Sequence, residues 1–322
     1  MLAPLFNFVD LEPAPQSFKE AALDGFRRSP KALPCQYLYD ESGSALFDKI
    51  CVLPEYYLTR VETHILQENA HAIAGHIGAN AQIVELGSGS NRKIGVLLNS
   101  LAAPAGYVPV DVSREHLHRA SKDLAERHPH IPVTAICADY NSASWLQDID
   151  FPRRAKRVAF FPGSSIGNYE PRAAQALLRH IRNIVGANGG LLIGIDLKKK
   201  AETLNAAYND GAGITALFNL NILDRINREL GGDFCKSRFK HIAFYNEGAG
   251  RIEIYIESAC DQIVHIAGQA FYLTANERIH TEHSYKYTVS EFAALAHDAG
   301  FAVIETFTDN QKLFSVQYLR AQ

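Results

Sequence analysis

Residues 81–93 read AQIVELGSGSNRK, a mostly apolar run followed by two glycines and the start of an amphipathic segment. Glycine lets a backbone turn sharply and approach a ligand, and the N–H groups at the start of a helix attract negative charge. We therefore predict a buried strand, a ligand-binding turn at Gly87, Ser88 and Gly89, and a helix. Tight strand-to-helix turns also contain glycine for steric reasons alone, so the neighbouring segments must decide between the two interpretations.

The segments that follow repeat the alternation of apolar strands and amphipathic helices. Apolar runs of this kind, separated by helices, are typical of βαβ units whose parallel sheet is buried on both faces. The sequence therefore predicts an α/β fold with a doubly wound, Rossmann-like sheet. The further predicted strands are GYVPVDV at 106–112, PVTAICADY at 132–140, KRVAFFPG at 156–163 and GGLLIGIDL at 189–197.

The pattern changes on both sides of this region. Residues 1–60 are rich in proline and aromatic residues and lack long periodic segments, so we expect an irregular arm there. After Leu197, the alternating isoleucines of RIEIYIES at 251–258 indicate antiparallel pairing. A last helix and two strands return to the α/β pattern. We predict one domain from 61–197 and 286–322, and a second from 1–60 and 198–285 that caps the carboxyl ends of the sheet strands.

The composition excludes several classes of protein. The 322 residues include 32 Lys and Arg against 35 Asp and Glu, and a net charge of −3 gives no general attraction to nucleic acid or anionic membranes. No apolar run is long enough for a membrane span. The five cysteines form no CxxC pair and the histidines no HExxH motif, so no metal site is predicted. We expect a monomeric cytoplasmic protein with a small-molecule substrate.

Acidic residues follow the next two predicted strands. Asp111 ends the strand after the glycine turn, and Asp139, followed by Tyr140, ends the third strand. Carboxylates in these positions accept hydrogen bonds from ribose hydroxyls, although strand-end aspartates also form ordinary turns. A dinucleotide fingerprint needs a small residue where Arg92 stands, which disfavours NAD. S-adenosylmethionine has no pyrophosphate and fits better, with Asp111 at its ribose and Asp139 near its adenine. The order of elements also looks like that of a class I methyltransferase.

Five motifs, distributed over nearly the whole chain, point to one family. They are YLYDESGSALFD at 37–48, LPEYY at 53–57, ELGSG at 85–89, GSSIGN at 163–168 and TEHS at 281–284. Together and in this order they resemble the L-histidine Nα-methyltransferases that begin ergothioneine biosynthesis. The resemblance implies that S-adenosylmethionine methylates the α-amino group of free histidine three times, giving the betaine hercynine.

The resemblance also implies roles for individual residues. It assigns the cofactor to Gly87, Lys93, Asp111, Asp139 and Tyr140, beside the turn residues Ser88 and Gly89. It assigns the amino-acid backbone of histidine to Tyr56, Asn168 and Tyr208, and the imidazole to Glu282 and Ser284. It assigns the surroundings of the reacting amine to Tyr39, Phe47 and Gly163. A carboxylate and a hydroxyl suit the imidazole because a neutral ring has one donor and one acceptor.

Two of these residues are candidates for catalysis. Tyr39 is expected to orient the amine or to pass its proton to water, although a phenol with a pKa of about 10 is a poor base at neutral pH. Asn168 is expected to place the amine for transfer. The sequence departs from the family at Ile254, where the best-known members have a methionine in the pocket wall. A stiffer β-branched side chain there is expected to alter affinity or ring tolerance.

Other interpretations stay open at this stage. The aromatic residues of the arm can simply pack it against the sheet, and Glu282 and Ser284 can belong to an ordinary polar strand face. The same chemistry can serve another amino acid, such as tryptophan, or a modified histidine. A non-catalytic protein that senses S-adenosylmethionine or histidine would bind its ligand without turnover.

Overall fold

The computed structural model describes residues 5–11, 18–89, 91–141 and 155–322, so Ser90 of the glycine turn lies outside the described residues. The strands in these ranges are β1 (Phe6–Asp10), β2 (Lys31–Ala32), β3 (Ala81–Leu86), β4 (Gly106–Asp111), β5 (Val133–Cys137), β6 (Lys156–Phe161), β7 (Gly190–Asp196), β8 (Phe239–Asn246), β9 (Arg251–Ser258), β10 (Gln262–Ile266), β11 (Gln269–Leu273), β12 (Arg278–Tyr285), β13 (Phe301–Thr308) and β14 (Phe314–Ala321). The α-helices are α1 (Phe18–Arg27), α2 (Glu41–Ile50), α3 (Tyr57–Glu68), α4 (Ala70–Ile77), α5 (Asn91–Ser100), α6 (Arg114–Arg127), α7 (Pro171–Val185), α8 (Ala201–Tyr208), α9 (Ile214–Leu230) and α10 (Val289–Asp298). None of these helices is both long enough and apolar enough to cross a membrane.

The chain divides into two compact units. Unit 1 contains Met1–Pro13, Val61–Leu197 and Tyr287–Gln322, and unit 2 contains Ala14–Arg60 and Lys198–Lys286. One difference from the predicted domains lies near the beginning of the chain. Strand β1 pairs with β5, so it belongs to the sheet of unit 1 and not to the arm.

Unit 1 is built on an eight-stranded sheet with the strand order β1-β5-β4-β3-β6-β7-β14-β13. The strands from β1 to β7 in this order are parallel, whereas β14 is antiparallel to both β7 and β13. The direction of winding reverses between the neighbouring strands β3 and β6. Open α/β sheets bind ligands at such a point, beyond the carboxyl ends of the strands. The predicted doubly wound sheet of the class I methyltransferase type is therefore confirmed.

The apolar sequences of the central strands explain why they lie in the middle of unit 1. Strands β3 and β7 are buried along their entire length. Helix α7, which begins at Pro171, packs on β6 with a stripe of buried side chains. Its buried residues recur every three or four positions, as expected for one face of a helix: Ala174, Leu177, Leu178, Ile181, Ile184 and Val185.

Unit 2 contains a smaller sheet with the strand order β2-β12-β9-β8. Strand β9 has the sequence RIEIYIES and pairs antiparallel with both β8 and β12, as its alternating pattern predicts. The side chains of Ile252, Ile254 and Ile256 are all buried. Strands β10 and β11 form a separate hairpin.

The expectation of an irregular arm before residue 60 was wrong. This segment contains α1, α2 and the beginning of α3, helices too short for a periodic pattern to be evident in the sequence. Asp40 caps α2 by accepting a hydrogen bond from the N–H of Gly43 at 2.8 Å, and Nδ2 of Asn221 in α9 donates to the same carboxylate at 2.7 Å. One side chain therefore starts α2 and joins it to α9.

Candidate functional site

The glycine turn in unit 1 follows β3 directly. Gly87 has a φ of +72°, a conformation that favours glycine, and its N–H donates to the carbonyl of Val110 at 2.9 Å. A Cβ atom on Gly87 would lie 3.6 Å from Cε1 of Tyr140. The N–H groups of Ser88 and Gly89 also donate to carbonyls of the chain. Because Gly87 has no side chain, the turn leaves space for a ligand beside the Tyr140 ring. The N–H groups of the turn are bonded within the chain.

A buried carboxylate lies beneath this turn. Glu85 accepts hydrogen bonds from the hydroxyls of Ser88, at 3.2 Å, and Tyr107. Burial raises the pKa of Glu85 to about 7, although both hydrogen bonds and the charge of Lys93 act in the opposite direction. The Ser88 side chain therefore helps to hold the turn in place.

Asp111 is the last residue of β4, and Asp139 lies two positions after the end of the adjacent strand β5. Oδ1 of Asp111 accepts from the N–H of Ser113 at 2.7 Å, and Oδ1 of Asp139 accepts from the N–H and Nδ2 of Asn141, each at 2.9 Å. Burial raises the pKa of Asp111 above its ordinary value. Oδ1 of each aspartate therefore forms the ordinary turn that the sequence left open as an alternative to ribose binding.

Lys93 and Gly163 meet at a third buried carboxylate, Glu62. The N–H of Gly163 donates to both oxygens of Glu62 at 2.9 Å, and the ammonium of Lys93 forms an ion pair with Glu62. Glu62 is 1% exposed. Sequence analysis missed this residue, although a signal was present: Glu62 lies at helical spacing between the buried residues Leu58 and Ile65, on the apolar face of α3.

Asn168 lies in a short 3₁₀ turn, Ser165–Asn168, that follows β6. The turn begins with Ser164 in a left-handed conformation, φ 58°. The Ser164 hydroxyl accepts a hydrogen bond from the N–H of Asp196 at 3.0 Å, which fixes the turn beside the end of β7. Asn168 therefore lies at the carboxyl edge of the sheet, on the side that the topology assigns to ligands.

In unit 2, an aromatic cluster brings together the predicted residues Tyr39, Phe47, Tyr56 and Tyr208. The ring centroids are 5.5 Å apart for Tyr39 and Phe47, 6.3 Å for Phe47 and Tyr56, and 6.2 Å for Tyr56 and Tyr208. The cluster also contains Phe218 of α9, which lies 5.2 Å from Tyr39 and which sequence analysis did not identify. These four contacts are edge-to-face, a favourable arrangement for aromatic pairs. The rings of Phe47 and Phe218 also meet, at 5.9 Å and in a tilted arrangement.

The electrostatic environment of the cluster includes Glu282. Burial raises the pKa of Tyr39 well above its ordinary value, and the negative charge of Glu282 raises it further. Burial and the same charge raise the pKa of the Cys35 thiol to about 12, and burial also raises that of Tyr56. These groups therefore stay neutral at physiological pH. Tyr39 is suited to orienting an amine and poorly suited to accepting its proton.

Glu282 and Ser284 lie on β12 and are both buried. The pairing of β12 with β9 shifts between His280 and Glu282, and beyond this bulge Glu282 lies opposite Ile254. The predicted pocket-wall position is thus the strand neighbour of the carboxylate. The hydroxyl of Tyr208 donates to Oγ of Ser284 at 3.2 Å. A buried residue that sequence analysis missed, Lys286, donates to both of these oxygens at 2.9 Å.

The predicted residues therefore form two groups, one in each unit. Unit 2 brings together Tyr39, Phe47, Tyr56, Tyr208, Glu282 and Ser284. Unit 1 has Gly87, Ser88, Gly89, Lys93, Asp111, Asp139, Tyr140, Gly163 and Asn168 around the carboxyl ends of β3, β4, β5 and β6. Among the described residues, no group of three or more His, Cys, Asp or Glu has a geometry suited to a metal ion.

Comparison with known proteins gives consistent matches over most of the chain. Residues 18–321 match the family of histidine-specific, SAM-dependent methyltransferases. The chain is 34% identical to a histidine N-alpha-methyltransferase of Mycolicibacterium smegmatis, over 96% of each chain. It is 36% identical to a protein of the same name from Mycobacterium tuberculosis, over 88% of this chain and 89% of that one. It is also 32% identical to ergothioneine biosynthesis protein 1 of Neurospora crassa, over 87% of this chain and 32% of the longer fungal protein.

Proposed function

Since the chain belongs to the family of histidine-specific, S-adenosylmethionine-dependent methyltransferases, we propose that it transfers three methyl groups in succession to the α-amino group of free L-histidine. The product is hercynine, and the reaction is the first step of ergothioneine biosynthesis. The observation that carries this proposal is the buried Glu282 and Ser284 pair on one strand of unit 2, beside the aromatic cluster. A purely apolar amino-acid side chain would offer this pair no hydrogen-bonding group.

The residues of unit 1 fit S-adenosylmethionine. The glycine at position 87 leaves open the space that a Cβ atom would fill beside the Tyr140 ring, and a flat adenine suits such an aromatic surface. We assign the ribose hydroxyls to Asp111 and the adenine to Asp139 and Tyr140. The ammonium of Lys93 suits the carboxylate of the methionine portion. When bound, S-adenosylmethionine supplies a methyl group on a positively charged sulfur.

Glu282 and Ser284 give specificity for the imidazole ring. The ionised carboxylate accepts the ring N–H, and the hydroxyl donates to the other ring nitrogen. A site built from buried polar groups rejects ligands that leave them unpaired, by factors of about 10⁴–10⁵ in favourable cases. Ile254, opposite Glu282 in the sheet, forms an apolar wall for the ring.

The hydroxyl of Tyr56 is assigned to the α-carboxylate of histidine, and Tyr208 is assigned to the packing that holds Tyr56 there, because its own O–H proton goes to Ser284. Both residues are buried and contact each other edge-to-face, so their hydroxyls are held in place by packing. In unit 1, Asn168 is assigned to the amino-acid backbone near the amine, and Gly163 to the space around it. Neutral donors of this kind bind a carboxylate without an arginine.

Methyl transfer to an amine needs a free lone pair aligned with the donor, at about 3–3.5 Å between the reacting atoms. We assign Tyr39 the task of orienting that lone pair, because its raised pKa keeps the phenol protonated. The ammonium proton leaves to water before each round. Successive transfers end in a fixed positive charge, which the faces of Tyr39, Phe47 and Tyr56 stabilise by about 0.5–2 kcal/mol each.

Mass spectrometry of the protein incubated with S-adenosylmethionine and each of the twenty amino acids tests this function. We expect histidine alone to gain three methyl groups. Methylation of another amino acid would preserve the cofactor assignment and overturn the roles of Glu282 and Ser284. Cofactor binding without any methylation would favour a sensor of S-adenosylmethionine or histidine.

We also propose that the protein acts as a monomer in the cytoplasm and binds no nucleic acid. The near balance of 32 basic and 35 acidic residues supports the last point, since it offers no excess of cations for a phosphate backbone. Sedimentation at micromolar concentration checks the oligomeric state. A stable dimer would contradict the proposal.

A further inference from the structure

A buried lysine follows the strand that carries Glu282 and Ser284. Side chains two positions apart on extended backbone point to the same face, so Lys286 continues the series begun by these two residues. Lys286 is 1% exposed, and lysines are almost never buried so deeply unless their N–H groups are paired. Its Nζ donates to Oη of Tyr208 and to Oγ of Ser284, both at 2.9 Å.

These three side chains form a closed triangle of hydrogen bonds. Tyr208 donates its own hydroxyl proton to Oγ of Ser284 at 3.2 Å. Oγ of Ser284 therefore accepts two hydrogen bonds, one from Tyr208 and one from Lys286, and a hydroxyl oxygen has two acceptor positions. The O–H proton of Ser284 is directed away from both partners, so a further group at Ser284 must be an acceptor.

We propose that Lys286 is a positioning residue that makes Ser284 an obligate hydrogen-bond donor, so that the site takes histidine only with a neutral imidazole. This inference rests on the proposed function, in which Glu282 and Ser284 bind the ring. A carboxylate alone would favour the charged imidazolium. Because imidazolium has two N–H donors and no acceptor, a donor-only hydroxyl opposes it. Lys286 thus decides which protonation state of the substrate fits.

Other titratable groups near the triangle do not take over this role. Burial keeps the pKa values of Tyr39 and Tyr56 well above their ordinary range, so both phenols stay neutral. Nε2 of His241 donates to the carbonyl of Tyr208 at 3.0 Å, and burial lowers the pKa of His241. Lys198 lies beside Gly250, whose carbonyl accepts from the N–H of Lys286. These groups are the same in wild type and in the variants below. Their contributions to the pH dependence of Kd therefore cancel when a variant is compared with wild type.

Calorimetric binding of histidine to the protein saturated with S-adenosylhomocysteine, at pH 7.5 and pH 5.5, tests the proposal. For wild type we expect Kd to rise about tenfold on acidification, because the neutral fraction of an imidazole with a pKa of about 6.5 falls by that factor. In Lys286→Met the hydroxyl of Ser284 is free to rotate and to accept from imidazolium. We expect weaker binding at pH 7.5, by about fivefold, and a Kd that changes less than about twofold between the two pH values.

Control variants separate this role from a structural one. Ser284→Ala should show the same weak pH dependence, and adding Lys286→Met to it should change the pH ratio no further. Lys240→Met replaces an exposed lysine of the same unit and should behave as wild type. If Lys286→Met does not fold, Lys286→Gln provides a shorter donor that should restore part of the wild-type pH dependence.

A Lys286→Met protein whose Kd differs from wild type by the same factor at both pH values would overturn the proposal. So would a Ser284→Ala protein that retains the tenfold rise of wild type. Failure of the proposed function gives a different result, because wild-type protein would then neither bind nor methylate histidine at pH 7.5.

Discussion

The N–H of Gly163 donates to the carboxylate of Glu62 at 2.9 Å, which joins the turn after β6 to helix α3. The same carboxylate forms an ion pair with Lys93 of α5. Glu62 therefore holds in place both the glycine that we assign to the surroundings of the amine and the lysine that we assign to the cofactor. A buried charge at this point contributes to the shape of the ligand site although it makes no proposed ligand contact.

Glu62→Gln keeps an acceptor for Gly163 and removes the counter-charge of Lys93. We expect the free energy of unfolding to fall by about 3 kcal/mol, since a buried pair broken on one side leaves an uncompensated charge. Lys93→Met should also destabilise the protein, and the double variant should be more stable than the sum of the single effects indicates. Urea denaturation of all four proteins measures this coupling. Additivity within about 0.5 kcal/mol would contradict it.

Glu85 predicts a specific pH dependence of stability. Its pKa is raised from 4.5 to about 7, so the folded protein binds the proton more tightly than the unfolded chain does. The stabilisation that this tighter proton binding gives the folded state is complete below pH 4.5, the pKa in the unfolded chain. It is lost as the pH rises through the folded pKa of about 7, by about 1.4 kcal/mol per pH unit.

Glu85→Gln removes this titration and keeps an oxygen that accepts from Tyr107. The difference in unfolding free energy between variant and wild type should therefore shift in favour of the variant between pH 4.5 and 7, and should be constant above pH 8. Urea denaturation at pH 5, 6, 7 and 8 checks this expectation. Parallel stability curves for the two proteins would show that Glu85 does not titrate in this range.

Glu282→Ala should lower kcat/KM for histidine by about 10²-fold, because a charged hydrogen bond to the ring is lost. The effect should be mainly on KM, since the imidazole does not react. Glu247→Ala, which removes an exposed carboxylate of the same unit, is the matched control. Wild-type kinetic constants in the Glu282 variant would exclude this residue from the imidazole site.

Tyr39→Phe tests whether the phenol orients the amine or accepts its proton. The raised pKa of Tyr39 predicts orientation, so the variant should lose about tenfold in kcat/KM and keep the wild-type dependence of rate on pH. Rates measured from pH 6.5 to 9.5 compare the two profiles. Loss of one limb of the wild-type profile in the variant would identify Tyr39 as a proton carrier instead.

The parts of the fold that depend on local pattern could be predicted from the sequence. The segment AQIVEL is apolar along its length and is the strand Ala81–Leu86, and the alternation in RIEIYIES gives the antiparallel strand β9. Strand β1 was missed because five residues at the edge of a sheet carry no distinctive period. Helices α1 and α2 were missed because ten residues are too few for a periodic pattern to be evident in the sequence.

The candidate site also contains residues that a local sequence pattern reveals and residues that only the tertiary structure reveals. Residues within recognisable motifs, such as Gly87 and Glu282, could be proposed as site residues from the sequence. Lys286 could not, because a single charged residue is ordinarily exposed and only tertiary structure reveals that it is buried. Phe218 likewise joins the aromatic cluster through the packing of α9 and not through any motif. Glu62 was missed although its helical spacing between Leu58 and Ile65 was a signal.

The position of the methyl groups tests the central claim most directly. The protein is incubated with histidine and S-adenosylmethionine carrying a deuterated methyl group, and tandem mass spectrometry locates the label in the product. We predict three labelled methyl groups, all on the α-nitrogen. Label on an imidazole nitrogen, or no label in histidine at all, would contradict the account of Glu282 and Ser284 as the residues that hold the ring and leave the amine to react.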